Sequence, residues 1–192
     1  MVNNLKIRWN ESKRTVPGDS RREVKNLKSK TVDQSKVSVG HLMQPDQANI
    51  EGNVHGGEVM KLMDSCAGIV ARRHSRRNTV TAMVDELEFM EAIHVGELVT
   101  CYGQLTYVGK QSMEVLVTVT VEDLQLSQPP KVALTAYFTM VALDINGDPT
   151  AVPELELRTD EERRLYEEGE KRYLRHKKNR QKRKEKEKAE IE

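Results

Sequence analysis

One segment of helical period followed by four β-type runs, each about a dozen residues long, restricts this chain more than its composition does. From Gly56 to about His74 the apolar residues Val59, Met60, Met63, Ala67, Val70 and Ala71 recur at helical spacing. The runs 79–89, 97–108, 112–124 and 131–143 are rich in Val, Thr and Tyr, as half-buried strands are. Gly109-Lys110 marks a hairpin between the second and third runs, and Gln128-Pro129-Pro130 separates the third from the fourth. Upstream, Val37, Val39, His41 and Met43 alternate as a short first strand. This order predicts an α+β domain in which a long, bent antiparallel sheet wraps one central helix. Ala67, Gly68 and Ala71 leave one side of the helix thin, and the chain has only two Phe and one Trp to fill a wider gap.

The net charge of +1 conceals an uneven distribution. Residues 1–36 carry a basic surplus of six and residues 158–192 one of four, while 37–157 has a deficit of nine. The chain thus divides into a basic N-terminal extension (1–34), a globular domain (35–157) and a charged C-terminal helix (158–192). The first lacks hydrophobic periodicity and is expected to be mobile. In the last, Thr159 followed by Asp160, Glu161 and Glu162 is a helix start signal. Leu165, Tyr166, Gly169, Tyr173 and Leu174 form a weak docking stripe, beyond which KKNRQKRKEKEK is charged all round.

The first residues lack an apolar leader core, and no run approaches the roughly 20 apolar residues that span a bilayer. The two cysteines, Cys66 and Cys101, form no C-x-x-C pair. A disulfide scaffold, a membrane-spanning protein and a collagen-like fibre are excluded, and a cytoplasmic location is expected.

Residues suited to chemistry crowd into GNVHGGEVMKLMDSCAG, residues 52–68. Unpaired N–H groups at a helix start polarise a carbonyl or hold an oxyanion, and Gly56 and Gly57 let a ligand reach that backbone. Asp64 lies about two turns further along, beside Met60, Met63 and Ala67, where a carboxylate is costly unless paired or used. His41, His74 and His94 have no metal-ligand spacing, and Cys66 reads as a small buried hydrophobe.

In these residues the sequence resembles the hotdog-fold acyl-CoA thioesterases, the group of bacterial cytoplasmic acyl-CoA hydrolases and the two-domain brain acyl-CoA hydrolase. The match runs over about residues 35–175, through Asn53-Val54-His55-Gly56-Gly57, Met60-Lys61-Leu62-Met63-Asp64, Ala67-Gly68, Ala71-Arg72, Val80-Thr81-Ala82 and Gly109-Lys110-Gln111-Ser112-Met113. The resemblance implies hydrolysis of acyl-CoA to fatty acid and coenzyme A. Asp64 would act as general base, or less readily as nucleophile, and Asn53 would orient the water or the carbonyl. Asn53 would come from one subunit and Asp64 from its neighbour, in homodimers that assemble as a trimer of dimers. His55, Lys110, Ser112 and Arg72 are candidates for binding coenzyme A. No metal and no cofactor is implied, and neither nucleic acid nor membrane is an expected partner.

Two other readings stand beside this one. A hotdog dehydratase would pair His55 with Asp64, although the MKLMD run matches the hydrolases. A basic-ended protein that binds RNA or a membrane surface is disfavoured, because acids dilute the tail and no aromatics interleave with its basic residues.

Overall fold

The computed structural model describes residues 27–189. The expected mobile tail lies, up to residue 26, outside the described residues.

Five strands form one antiparallel sheet: β2 (Val37–Leu42), β3 (Asn78–Phe89), β4 (Leu98–Val108), β5 (Ser112–Glu122) and β6 (Lys131–Leu143). Their order across the sheet is β2-β4-β5-β6-β3, so β2 and β3 are its two edges. Helix α1 (Gly56–Ser75) lies in the concave face. Alternation explains the packing: Met113, Val115, Val117, Val119 and Val121 of β5 all point inward and are buried. They meet Val59, Met63, Cys66, Ala67, Val70 and Ala71 of α1, with Phe138 of β6 as the largest fully buried side chain. This is the sheet-around-helix arrangement that the sequence predicts, with every long strand placed within a few residues.

The thinness at the helix–sheet contact comes from both sides. Ala67 and Ala71 are fully buried, whereas a side chain on Gly68 would meet nothing within 4 Å. The close approach also depends on Gly103 of β4, where an added Cβ would fall 2.8 Å from both Cys66 Sγ and Val70 Cγ2.

The expected boundary at residue 34 is corrected by a two-residue strand, β1 (Lys30–Thr31). It pairs in parallel with β7 (Leu155–Glu156), too short a feature to leave a periodic signal. The Lys30 ammonium donates to the carbonyls of Arg73 and His74 at the end of α1, where the helix dipole favours a cation. Val32 and Ser35 are buried beside it.

His74 is wholly buried, with Nε2 donating to the Pro153 carbonyl at 2.8 Å and Nδ1 facing Ser35 Oγ at 3.4 Å. Burial, together with the Lys30 charge, pushes its pKa below the ordinary 6.5. On acidification the unfolded chain takes up a proton that the folded ring resists, so stability falls as pH drops through the ordinary imidazole value. Thermal melts between about pH 7 and pH 5 are expected to show a steeper decline for the wild type than for His74→Gln. Parallel declines would mean that His74 is not held neutral.

Helix α2 (Asp160–Ala189) starts at the expected cap: Glu162 N–H donates to Thr159 Oγ1, and Glu162 Oε2 accepts from the N–H of Thr159. Its first half crosses the convex face of the sheet. Tyr107 of β4 packs against Tyr166 and Tyr173, with ring centroids 4.9 and 5.3 Å apart. Arg172 grips Glu114 of β5 through two hydrogen bonds of 3.0 and 2.8 Å, and Thr106 Oγ1 donates to the same carboxylate at 2.6 Å. The guanidinium also stacks 3.7 Å above the Tyr137 ring. Gly169 is needed at this crossing, since a Cβ there would lie 2.7 Å from Tyr107 Cβ. At the edge strand, His176 Nε2 meets Asp85 at 2.7 Å and Arg175 reaches Asp85 and Glu86. Of the predicted stripe, Leu165 is buried but Leu174 is exposed.

Candidate active site

The loop before α1 is closed by its own asparagines. Asn49 Oδ1 accepts the N–H groups of Glu51 and Asn53 at 2.9 and 3.1 Å, and Asn49 N–H donates to the Asn53 carbonyl at 2.7 Å. This local turn chemistry suits an Asn. It fixes the Asn49 carboxamide by its oxygen and leaves its NH₂ group without a partner among the described residues. Asn53 pairs through its backbone with His94 of the neighbouring loop. The sequence reading passed over Asn49; a side chain able to satisfy two N–H groups in a Gly-containing loop was the available signal.

His55 is the N-cap of α1, and its Nδ1 accepts the Gly57 N–H at 3.0 Å. This corrects the expectation that both glycines present free donors: Gly57 N–H is taken. Gly56 N–H has no acceptor among the described residues, and the Phe89 ring lies against that glycine.

Asp64 is exposed on the side of α1 that runs through Gly57, Met60 and Gly68. Its Oδ1 accepts the Thr81 hydroxyl of β3 at 2.5 Å. This bond sets the carboxylate's orientation and leaves Oδ2 free to act on a water. Thr81 was seen in the sequence only as part of a match, because a contact across 17 residues leaves no periodic trace.

The other sequence candidates lie elsewhere. Arg72 is exposed in the last turn of α1. Lys110 and Ser112 sit in the β4–β5 hairpin, which is stitched to residues 149–152 and abuts the Val141 end of β6. The start of α1 lies at the other end of the sheet, near Phe89 and Ile93. One protomer therefore separates Arg72, Lys110 and Ser112 from Asn53, His55, Gly56 and Gly57, with Asp64 and Thr81 between. Cys66 and Cys101 face each other inside the core, and burial pushes their thiols up to about 11 and 12, so neither is a nucleophile. Among the described residues no cluster of His, Cys, Asp or Glu has the arrangement of a metal site.

Known proteins share this fold. Residues 51–128 match the family model of the thioesterase superfamily. The chain is 42% identical over 165 residues to the cytosolic acyl coenzyme A thioester hydrolase of Mus musculus, covering 85% of this chain but only 43% of that relative. An apo-hexameric acyl-CoA thioesterase superposes with a TM-score of 0.75 at 34% identity, over 79% of this chain and 97% of the other. The acyl-CoA hydrolase of Staphylococcus aureus, solved with butyryl coenzyme A and coenzyme A, gives 0.76 at 29% identity over 85% and 99% of the two chains. That hydrolase has also been solved as single alanine variants of an Asn, an Asp and a Thr that stand 15 and 17 positions apart. Asn49, Asp64 and Thr81 have the same spacing here. By fold, sequence and the span of the match, the chain belongs to the hotdog-fold acyl-CoA thioester hydrolases of the thioesterase superfamily.

Proposed function

We propose that this chain hydrolyses acyl-CoA thioesters to a free fatty acid and coenzyme A, with Asp64 as general base. The observation that carries the reading is the Asp64 carboxylate, held by Thr81 on an open side of α1 with one oxygen free. Asp64 takes a proton from water as the water oxygen attacks the thioester carbonyl carbon. The oxyanion is held by donors at a neighbouring helix start, Gly56 N–H and the Asn49 NH₂ group. Collapse breaks the C–S bond, and the proton passes from Asp64 to the departing thiolate. The scheme uses no metal and no cofactor.

Asn49 takes here the role that the sequence reading gave to Asn53. Its fixed oxygen and free NH₂ support the exchange, as does its spacing from Asp64. The donors and the base come from two subunits. Within one chain Asp64 lies eight residues beyond Gly56, roughly 12 Å along the axis, too far to share one carbonyl. The free edge of β3, with Leu87, Phe89 and Met90 exposed, suits pairing with a second copy. The hexameric relative supports assembly of three such dimers. In this reading Arg72 and Lys110 bind the phosphates of coenzyme A, and Ser112 and His55, at opposite ends of one protomer, contact it from different subunits. A dehydratase is disfavoured because His55 Nδ1 is engaged as a helix cap.

Thiol release measured across straight-chain acyl-CoAs from acetyl to palmitoyl, beside dehydration of a 3-hydroxyacyl thioester, tests the proposal. Thiol release with at least one chain length is expected. Dehydration without thiol release would overturn it.

A further inference from the structure

We infer that the distal half of α2 is a peripheral docking arm for anionic phospholipid surfaces. The last aromatic and polar contacts of α2 with the sheet are made by Tyr173, Arg175 and His176, against Tyr107, Asp85 and Glu86. The helix then continues to Ala189 with nothing packed on it among the described residues. Residues 177–188 carry eight Lys or Arg against two Glu. At 1.5 Å per residue they form a rod roughly 18 Å long. Lys177, Lys178, Lys182, Arg183 and Lys186 are exposed and enter no ion pair among the described residues.

Such a rod has a cost that an anionic surface relieves. Lys177–Arg180, Lys178–Lys182, Arg180–Arg183, Lys182–Lys186 and Arg183–Lys186 are like-charged pairs three or four residues apart, set against the opposite pairs Lys182–Glu185 and Arg183–Glu187. Like charges at this spacing destabilise a helix. A cationic residue beside an anionic leaflet gains attraction that adds up over a cluster. The rod has no apolar stripe, so it binds by charge at the headgroups and does not insert. RNA is the weaker fit: residues 177–189 hold no aromatic side chain for base stacking, His176 is engaged with Asp85, and Tyr173 is packed on Tyr107. A bilayer is also where a long-chain acyl thioester partitions, a point that rests on the proposed activity although the charge argument does not. The sequence disfavours a membrane-surface partner because acids dilute the tail, but Glu190 and Glu192 lie beyond the rod, and within residues 177–188 only two Glu face eight Lys or Arg.

The test is co-sedimentation of the full chain with phosphatidylcholine vesicles, with and without about 30% phosphatidylserine, at ~0.1 and ~0.5 M salt. The comparison protein carries Lys177→Gln, Lys178→Gln, Lys182→Gln and Arg183→Gln, with its helicity, melting temperature and vesicle-free thiol release checked against wild type. Wild type is expected to bind only the phosphatidylserine vesicles and to lose them at the higher salt. The four-fold variant is expected to bind them at least about tenfold more weakly. Equal binding by the variant, equal binding to pure phosphatidylcholine, or preferential capture of RNA in competition would each overturn the inference. So would a variant whose only change is its oligomeric state. Because vesicle binding is read without turnover, a failed thioesterase assay leaves this result standing, and the reverse also holds.

Discussion

Asp64→Asn is expected to lower kcat for thiol release on the order of 10²–10⁴-fold, the usual cost of losing a positioned general base. The substitution keeps the shape of the side chain, and the Asn carbonyl still accepts the Thr81 hydroxyl. What disappears is the basicity of the free oxygen. Because the side chain is exposed, the melting temperature should barely move, and KM should stay close to that of the wild type. Thr81→Ala should reduce kcat less, because it frees the carboxylate to rotate without removing it. A kcat near normal in Asp64→Asn would mean that the base is another residue.

The largest loss of stability is expected from Arg172→Ala. Arg172 and Glu114 keep only 10% and 9% of their side-chain surface, and Glu114 accepts from both Arg172 and Thr106. Removing one member of a buried pair leaves the other charged and unpaired, which costs about 3–5 kcal/mol. For a chain of this size that is a fall in melting temperature of roughly 6–20 °C. Replacing both partners, as Glu114→Gln with Arg172→Met, should recover much of the loss, since neither side chain is then a buried charge and the Gln oxygen still accepts the Thr106 hydroxyl. A single variant that melts within ~2 °C of the wild type would show that α2 is not anchored there.

Much of the fold was legible because its elements are long and regular. Helix α1 announces itself by its spacing, and β4, β5 and β6 by alternation between plain breakers. The features that escaped are short or non-local. Lys30–Thr31 is two residues of strand whose partner lies 125 positions away. Gly103 has no pattern of its own, and only the sulfur and methyl groups of α1 above it show why the position must be bare. The Arg172–Glu114 pair joins residues that read separately as surface charges.

The site was legible in the same uneven way. Asp64 stood out as an acid beside an apolar stripe, and the structure gives it the Thr81 hydroxyl as partner. The two glycines were read as a matched pair of donors, but His55 caps one of them. That hydrogen bond spans two residues and depends on a ring orientation that spacing does not reveal. Asn49 and Asn53 share one small loop, and only the hydrogen bonds around each carboxamide distinguish a fixed donor from a backbone tie.

In the proposed mechanism, hydrolysis uses Asp64 of one subunit with the helix-start donors of another. Mixed dimers of Asn49→Ala and Asp64→Asn chains test it most directly. Each variant alone should be nearly inactive, while a mixed dimer holds one doubly defective site and one intact site. Co-expression with two different affinity tags and purification over both yields the mixed species, whose composition mass spectrometry confirms. Thiol release near half that of a wild-type dimer is the predicted result, with Asn53→Ala in place of Asn49→Ala showing which asparagine completes the site. A confirmed mixed dimer as inactive as its parents would contradict the shared site.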